Sequence, residues 1–188
     1  MKSDSELIAE FKQGDARVVE RAFTELVRRY QEKVYWVCRR MLNSHDDADD
    51  VSQNVFIKVH GALSNFNEEA AFFTWLYRIA TNESINFIRS RKVRSAVGLD
   101  DLTVEPAADT SDPEEDMEND EQTKAIEDAI ATLPEKQRAV FLMRYYDEMP
   151  YEQIAEIMGT SVGGLKANYF HAFKKIEIYL RKRLPLGG

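Results

Sequence analysis

A single cysteine, only three histidines and the lack of any long apolar run set the first limits on this chain. One cysteine, Cys38, excludes an internal disulfide, and its apolar neighbours indicate a small buried core residue, with a reactive thiol as the alternative. The histidines His45, His60 and His171 stand far apart without cysteine partners, which is no metal-binding pattern. No stretch approaches about 18 apolar residues, and the N-terminal segment lacks the pattern of a signal peptide. We therefore expect a soluble, cytoplasmic protein that binds no metal or other cofactor and does not insert into a membrane.

Catalytic signatures are also missing. The sequence contains no glycine-rich phosphate-binding loop and no nucleophile elbow. Carboxylates are plentiful, but solvated helix faces explain them better than an acid–base pair does. We therefore expect that the protein is not an enzyme.

Basic residues are absent from one stretch, 96–120, which carries 10 acidic side chains. The flanking pieces, 1–95 and 121–188, have 15 and 10 basic residues against 14 and 9 acidic ones, so each contributes +1 and the stretch between them contributes −10 to the net charge of −8. Two prolines, mutual charge repulsion and no apolar period predict that 96–120 is a flexible acidic linker between two domains. A local basic surface for nucleic acid is compatible with the acidic total.

Apolar residues recur at three- and four-residue steps on both sides of the linker, which predicts an all-α fold of two small helical domains. Caps and helix breakers divide each piece into four helices. The expected positions are a short helix from Ser3 or Asp4 to near Gly14, a long helix with the stripe Phe23 to Met41, and helices near 46–63, 72–91, 121–132, 135–146, 151–158 and 161–183.

The segment 151–175 has the pattern of a helix-turn-helix. Ile154, Ala155 and Met158 are expected on the inner stripe of its first helix. Gly159 provides the left-handed turn residue, and Ser161 caps the second helix. The outer face of the second helix is polar or small and almost without acid, which suits a helix that enters a DNA groove. The candidate DNA-binding residues there are Ser161, Gly163, Gly164, Lys166, Asn168, His171, Lys174 and Lys175.

A plain helical hairpin with a glycine turn is the alternative for this segment. Two glycines inside a helix cost about 1 kcal/mol each against alanine, so they need a reason such as a close approach to DNA. The buried stripe of the second helix is predicted to contain Val162, Leu165, either Tyr169 or Phe170, and Phe173.

The residues before this segment, LPEKQRAVFLMRYYDEMPYEQIA at 133–155, resemble the start of domain 4 of bacterial sigma factors, the detachable promoter-recognition subunits of RNA polymerase. Two further motifs resemble sigma domain 2: DDADDVSQNVF at 46–56 and FFTWLYRIATN at 72–82. Domains 2 and 4 without room for a domain 3 resemble the extracytoplasmic-function (ECF) sigma factors. The resemblance covers nearly the whole chain except the linker.

The resemblance assigns core-polymerase binding to the helix that begins near Asp46. Val51, Val55 and Val59 follow four-residue steps toward the domain core, which leaves a polar face exposed. Asn54 stands where the family usually has an acid, so one interfacial charge is missing. A solvated acidic helix start is the alternative for the aspartates. The candidate polymerase-binding residues are Asp46, Asp49, Asp50, Gln53, Asn54 and Phe56.

The resemblance assigns the minus-ten promoter element to the fourth helix and to the preceding loop, 64–71, which in the family holds an unstacked base. Loop residues provide stacking and base-edge hydrogen bonds, and the basic cluster at 89–94 holds phosphates, although a cationic helix end is also mildly stabilising by itself. Trp75, Leu76, Ile79 and Ile85 are also expected to contribute to the core. The candidate minus-ten residues are Asn65, Phe66, Asn67, Trp75, Arg78, Asn82, Asn86, Arg89, Arg91 and Lys92.

The recognition helix departs from the common ECF pattern V-x-S-R-L-x-R-A-[RK], because 165–174 contains no arginine. Arginine bonded to guanine is the commonest specific contact, so lysine, asparagine and histidine contacts, backbone approach and groove shape are expected to act instead. The preferred minus-thirty-five sequence is therefore not transferable from the family.

The sequence leads to a transcription initiation factor that binds RNA polymerase core enzyme, directs it to promoters and assists promoter melting. The implied partners are the clamp helices of the largest polymerase subunit, the flap of the second-largest subunit, promoter DNA and an anti-sigma factor. A stand-alone helix-turn-helix DNA-binding regulator is the alternative, and an enzyme acting on nucleic acid is a third hypothesis that the missing catalytic groups disfavour. The acidic linker is either a solvated tether or a segment that weakens DNA binding by the free factor.

Overall fold

The computed structural model describes residues 2–67, 70–97 and 117–183. Over these ranges the chain is helical and has no strand, which confirms the all-α prediction. A short 3₁₀ turn, Leu63–Asn65, follows the third helix. The α-helices are α1 (Asp4–Gln13), α2 (Ala16–Leu42), α3 (His45–Ala62), α4 (Phe72–Ala96), α5 (Met117–Ala131), α6 (Glu135–Tyr145), α7 (Tyr151–Met158) and α8 (Val162–Arg183).

The chain forms two compact units, 1–87 and 88–188. Helix α4 continues to Ala96, beyond the expected end near 91, because neither proline nor glycine interrupts it before Gly98. Helix α5 begins at Met117, four residues before the expected start. The predicted acidic linker therefore overlaps two helix ends, and most of it, with its proposed effect on DNA binding, lies outside the described residues.

In the first unit, α1 and α2 begin with side-chain caps. Ser3 and Glu6 form a reciprocal capping box, and the carboxylate of Asp15 accepts from two amides of the first turn of α2. Asn43 ends α2 in the left-handed conformation, with φ of 54°. Cys38 on α2 is fully buried, as predicted, and burial raises the pKa of its thiol to about 11.

Helix α3 packs against α2 through the predicted valine stripe. Val51, Val55 and Val59 are all buried, which confirms their assignment to the core. An ion pair of 2.6 Å between Lys58 Nζ and Glu83 Oε2 joins α3 to α4. The core side of α4 includes Leu76, but Trp75 and Ile79, also expected in the core, are only partly buried.

In the second unit, α8 packs against α5, α6 and α7. Arg138 belongs to the 133–155 segment that resembles the start of sigma domain 4. It is buried and donates to the carbonyl oxygens of Ala131 and Leu133, so it caps the end of α5. Burial lowers the pKa of its guanidinium. Gly159 adopts φ of 61° between α7 and α8, where a left-handed turn was predicted.

Candidate polymerase-binding and DNA-binding surfaces

Helix α3 presents four residues on one exposed line, which we call the outer ridge of α3: Asp46, Asp50, Gln53 and Ile57. Their spacing of four, three and four residues places them above one another on a helix. All four are exposed, and the side opposite to them carries the buried valines. The ridge therefore combines two carboxylates and an amide with one apolar side chain.

The remaining predicted polymerase-binding residues flank this ridge. Asp49 and Asn54 are exposed on its two sides, whereas Phe56 is partly buried beside Asp49. Ile57 was not predicted, although it is 69% exposed, the highest exposure among the large apolar residues of the described chain. Its place four residues after Gln53 is the sequence signal that would have found it.

Local hydrogen bonds fix the beginning of α3. The Ser44 hydroxyl accepts from the Asp47 amide at 3.3 Å, which caps the helix. Tyr35 Oη and His45 Nδ1 lie 2.5 Å apart and connect α2 to the first turn of α3. These hydrogen bonds therefore hold the backbone that carries the acidic residues of the first turn of α3.

The exposed face of α4 contains Trp75, Arg78, Asn82, Asn86 and Arg89. These predicted minus-ten residues follow three- and four-residue steps and extend for about 21 Å along the helix. The four polar members are exposed, and the Trp75 ring is partly buried at the end that begins the helix. The face therefore presents hydrogen-bonding amides between two guanidinium groups.

The structure corrects one residue of the predicted base-binding loop. Phe66 is buried, and its ring centroid lies 4.9 Å from that of Trp75 and 5.9 Å from that of Phe72. The ring is therefore occupied in the core and is not available to stack on a base in this conformation. Asn65 and Asn67 on either side of it are exposed.

A side chain from α1 supports the same loop. Lys12 Nζ donates to the carbonyl oxygen of Phe66, and α1 packs against the 3₁₀ turn that begins the loop. No local sequence pattern indicates this contact, because the two residues are 54 positions apart. Together with the buried ring of Phe66, it anchors the stretch of loop between Asn65 and Asn67.

The basic end of α4, which belongs to the second unit from residue 88 onward, has an acidic partner within that unit. Arg89 Nε lies 2.8 Å from Glu135 Oε1, and Lys92 Nζ lies 3.3 Å from Glu135 Oε2. The hydrogen bond from Arg89, followed by a backbone hydrogen bond and the charge of Lys92, lowers the Glu135 pKa to about 2. One carboxylate thus pairs with two predicted phosphate-binding cations, so this group of three side chains keeps a net charge of +1, and Arg91 between the two cations is exposed.

The helix-turn-helix has the expected local geometry. The Gly164 amide donates to Ser161 Oγ at 3.3 Å, so Ser161 caps α8 as predicted. Leu165 on α8 and Ile154 on α7 are fully buried where these helices meet. Two cations approach the Tyr151 ring, with Lys166 Nζ 5.7 Å and the Arg144 guanidinium carbon 5.2 Å from its centroid.

The outer ridge of α8 consists of Gly163, Ala167, Phe170 and Lys174. These residues follow four-, three- and four-residue steps on the side opposite to Leu165, Ala172 and Ile176, which are buried. Of the predicted DNA-binding residues, Lys166 and His171 are exposed next to the ridge, Ser161 is exposed at the cap before α8, Lys175 is exposed on the side toward α6, and Gly164 and Asn168 are partly buried.

Two aromatic residues of α8 differ from the prediction. Phe173 was assigned to the core stripe but is 50% exposed, and the choice between Tyr169 and Phe170 falls on Tyr169. The Tyr169 ring lies parallel to that of Phe141 at 5.7 Å, whereas Phe170 is 58% exposed. A helix of 3.6 residues per turn brings either neighbour near the core edge, so periodicity alone did not separate them.

Two of the predicted DNA-binding lysines have partners in the second unit. Lys174 Nζ lies 2.9 Å from Glu177 Oε2, and Lys175 Nζ donates to Gln137 Oε1 at 3.1 Å. The hydrogen bond from Lys174 lowers the pKa of the Glu177 carboxyl. The outer face of α8 therefore has one acid, Glu177, at its edge, beyond the residues predicted for this face.

No group of histidine, cysteine, aspartate or glutamate side chains in the described ranges is arranged to hold a metal ion. Among the same residues, no helix combines the length and the apolarity needed to cross a membrane.

Comparison with known proteins gives the family. The family model of Sigma-70 region 2 matches residues 26–94, and that of Sigma-70 region 4 matches residues 123–176. The first match contains α3 and nearly all of α4, and the second contains α6, α7 and most of α8. The three surfaces described above therefore lie in the matched segments.

The chain is also similar to named proteins over nearly its whole length. It is 34% identical to the RNA polymerase sigma-H factor of Pseudomonas aeruginosa, over 97% of this chain and 96% of that protein. It is 33% identical to the ECF RNA polymerase sigma factor SigW of Bacillus subtilis, over 93% and 95%. A solved structure, the sigma factor RpoE of Bartonella quintana in complex with the anti-sigma factor NepR, has the same fold, with a TM-score of 0.67 and 20% identity over 85% of this chain and 96% of that one. The chain therefore belongs to the ECF RNA polymerase sigma factors of the sigma-70 family.

Proposed function

We propose that this protein is a promoter-specificity subunit that binds RNA polymerase core enzyme through α3 and promoter DNA through α4 and α8. The observation that carries the proposal is the presence of three separate exposed surfaces, each on one helix and each within a segment matched by a sigma-70 family model. No catalytic group is needed for this function, so we propose a binding factor and not an enzyme. We further propose that it acts in the cytoplasm.

The outer ridge of α3 is the proposed site for the clamp helices of the largest polymerase subunit. Asp46 and Asp50 provide negative charge, and Gln53 provides both a donor and an acceptor. Ile57 adds exposed apolar area next to these polar groups, as is common where a polar rim surrounds an apolar interface core. Asp49, Asn54 and Phe56 lie beside the ridge and extend the contact.

The exposed face of α4 is the proposed site for the minus-ten element. Arginine side chains hold phosphates, and the amides of Asn82 and Asn86 provide donors and acceptors for base edges. Opening the duplex costs a few kcal/mol for each unstacked base, which contacts to the released single strand offset. Asn65 and Asn67 are the loop residues that we propose to bind a displaced base. The buried ring of Phe66 anchors the loop between them.

Helix α8 is the proposed reader of the minus-thirty-five element. Small residues at its beginning, Gly163 and Gly164, permit close approach of the backbone to the groove, and Lys166 and His171 flank the outer ridge. Binding at two distant points of the same promoter, through α4 and α8, multiplies the affinities because the second contact becomes intramolecular.

An anti-sigma factor and the flap of the second-largest polymerase subunit are the remaining proposed partners. The structural relative from Bartonella quintana was solved in complex with an anti-sigma factor. A protein that covers the outer ridge of α3 or the exposed face of α4 would block polymerase or promoter binding directly. We therefore propose that such a factor holds this protein inactive.

Run-off transcription with purified core polymerase tests the function. We expect a promoter-dependent transcript only when the protein is added, and co-purification of the protein with core enzyme. Asp50→Lys reverses a charge on the outer ridge of α3 and should weaken binding to core by at least about tenfold. Glu20→Lys is the matched control, because Glu20 is an exposed acid on α2 away from that ridge.

Two outcomes would count against the proposal. If the protein binds DNA specifically but neither co-purifies with core enzyme nor supports transcription, it is a stand-alone helix-turn-helix regulator. If Asp50→Lys and Glu20→Lys bind core enzyme equally well, the polymerase does not dock on the outer ridge of α3.

A further inference from the structure

We propose that Lys12 is a positioning residue for the minus-ten element, which holds the peptide plane between Phe66 and Asn67 so that the Asn67 side chain is presented to a displaced base. The inference rests on the proposed function, since it requires Asn65 and Asn67 to bind that base. Lys12 lies in the last turn of α1, before the segment 26–94 that the region 2 family model matches. The inference therefore gives α1 a part in promoter opening.

Three contacts hold Phe66, and each acts on a different part of the residue. Its amide donates to the Leu63 carbonyl oxygen at 3.1 Å, and its buried ring lies beside the rings of Phe72 and Trp75. Its carbonyl oxygen accepts a hydrogen bond from Lys12 Nζ. The first two contacts come from residues nearby in the sequence, whereas the third comes from α1. Of the three, the Lys12 contact is the one that acts on the carbonyl group.

The carbonyl group of Phe66 belongs to the peptide plane that leads into Asn67. Because a peptide bond is planar, the direction of this oxygen also sets the direction in which the chain enters Asn67. Phe66 has φ of −67° and ψ of 122°, so the chain leaves the 3₁₀ turn here in an extended conformation. Asn65 lies before this plane and is held by the 3₁₀ turn itself. We therefore expect the Lys12 hydrogen bond to place Asn67 and not Asn65.

Helix α1 gives this contact a fixed starting point. Leu7, Ile8 and Phe11 are buried, and the Phe11 ring packs edge-on against the His60 ring of α3, with the centroids 5.2 Å apart. The helix also packs directly against the 3₁₀ turn that begins the loop. Lys12 directly follows Phe11, so the core of the first unit fixes the backbone from which its ammonium group extends.

The target of the Lys12 ammonium group is unusual for its place in the helix. A lysine in the last turn of a helix commonly interacts with the free carbonyl groups of its own helix. Lys12 donates instead to a carbonyl group of another element, and the charge strengthens that hydrogen bond. Because Lys12 is exposed, the hydrogen bond contributes little to the stability of the whole fold. Its effect should therefore appear in the placement of the loop.

The test uses holoenzyme made from the full chain and purified core polymerase. The probe is a promoter fragment that wild-type holoenzyme transcribes, with 2-aminopurine in place of one non-template base of the minus-ten element at a time, because 2-aminopurine fluorescence rises when the base leaves the stack. Lys12→Met keeps the length of the side chain but removes its charge and donors, and Lys12→Arg restores both. Lys2→Met is the matched control, because it removes the same charge just before α1, where Lys2 pairs with Glu10 and not with the loop.

Lys12→Met should reduce the fluorescence rise at one position of the minus-ten element. It should also weaken promoter binding, measured by fluorescence anisotropy, by about three- to tenfold, the range that corresponds to one lost hydrogen bond. Lys12→Arg and Lys2→Met should both remain within about twofold of the wild type. The midpoint of urea denaturation of the free protein should be nearly the same for all of these variants.

Double variants separate the placement of Asn67 from a general effect on the loop. Asn67→Ala removes the group that Lys12 is proposed to position, so adding Lys12→Met to it should weaken promoter binding little further. With Asn65→Ala, which removes a group on the other side of the peptide plane, the effects of the two substitutions on the dissociation constant should multiply.

The proposal is overturned if Lys12→Met and Lys2→Met change fluorescence and binding equally, since the effect is then one of charge alone. It is also overturned if Lys12→Met multiplies with Asn67→Ala as fully as with Asn65→Ala. A decrease of about 1 in the slope of log K against log salt for Lys12→Met would overturn it too, because Lys12 then contacts a phosphate directly. If wild-type fluorescence rises at no position, and both asparagine variants bind promoter as tightly as the wild type, the proposed binding of a displaced base fails, which is a different result from an absent Lys12 effect.

Discussion

The two helices proposed to contact DNA, α4 and α8, present different chemistry to the same polymer. The exposed face of α4 carries arginines and asparagines, with Trp75 at one end. The outer ridge of α8 carries glycine, alanine and phenylalanine, with one lysine at the end. We therefore expect the two helices to bind DNA through a different balance of charge and shape.

This difference matches the state of the DNA that each helix is proposed to meet. Released single strand offers phosphates and unpaired base edges, which guanidinium and amide groups bind well. Closed duplex offers a groove in which close backbone approach and apolar contacts add selectivity. We therefore expect charge to provide most of the affinity of α4 for DNA, and the small residues of α8 to provide a fit that depends on the DNA sequence.

The largest expected effect is a difference in the free energy of unfolding between substitutions on the two sides of α8. Leu165 is fully buried, so Leu165→Ala should lower the free energy of unfolding by about 2–5 kcal/mol. Phe170→Ala, on the outer ridge, should change it by no more than about 0.5 kcal/mol. Urea denaturation followed by circular dichroism measures both. A large loss of stability in Phe170→Ala would show that the ring belongs to the core after all.

The second prediction compares the salt dependence of α4 and α8. Arg78→Gln and Arg91→Gln should each reduce the slope of log K against log salt for promoter binding by holoenzyme by about 1. Phe170→Ala should lower the affinity without changing the slope, because no phosphate contact is lost. Filter binding across a series of salt concentrations gives the slopes. Equal slopes for all three variants would remove the contrast between a charged and an apolar surface.

The third prediction concerns two glycines of the helix-turn-helix. Gly159→Ala should destabilise the fold by about 1 kcal/mol, because Gly159 has φ of 61°. A Cβ at Gly163 would meet no atom within 4 Å, so Gly163→Ala should stabilise the fold by up to about 1 kcal/mol.

The DNA-binding effect of Gly163→Ala should have the opposite sign to its effect on stability. If the backbone approaches DNA at Gly163, the added methyl group should weaken minus-thirty-five binding while the melting temperature rises. Thermal melting and fluorescence anisotropy on the same samples compare the two. A variant that is more stable and binds DNA as well as the wild type would exclude close approach at this position.

Much of the architecture could be predicted, because helix caps and apolar periods are local signals. Ser3, Gly159 and Ser161 lie at the helix boundaries that their chemistry indicated, and the valine stripe of α3 faces the core. The family resemblance added what periodicity does not contain, namely a proposed partner for each exposed face.

The parts that the sequence did not reveal depend on contacts between distant residues or on small rotations of a helix. Phe66 is buried because Trp75 and Phe72 surround it, which no pattern within the loop indicates. Phe170 and Tyr169 are adjacent, so a change of 100° in direction decides which one faces outward. The pairing of Glu135 with Arg89 joins residues 46 positions apart.

The smallest expected effect is the change in stability on removing an acid that pairs with cations on each surface. Glu135 bridges Arg89 and Lys92 of α4, whereas Glu177 pairs with Lys174 within α8 itself. The Glu135 pKa is lowered to about 2 from an ordinary value of 4.5, so its ion pairs stabilise the folded state fully above about pH 4.5. That stabilisation is lost progressively as the pH falls from about 4.5 toward 2.

Glu135→Gln isolates this contribution. The difference in free energy of unfolding between wild type and Glu135→Gln should be constant from pH 7 to about 5.5 and should shrink below about pH 4.5. Because Arg89 and Lys92 are more than half exposed, added salt should also reduce the difference at neutral pH. Urea denaturation across this pH range measures it, with Glu177→Gln as the control for an acid within one helix. A difference that is the same at pH 7 and pH 4 would mean that the Glu135 carboxylate does not stabilise the basic end of α4 through its ion pairs with Arg89 and Lys92.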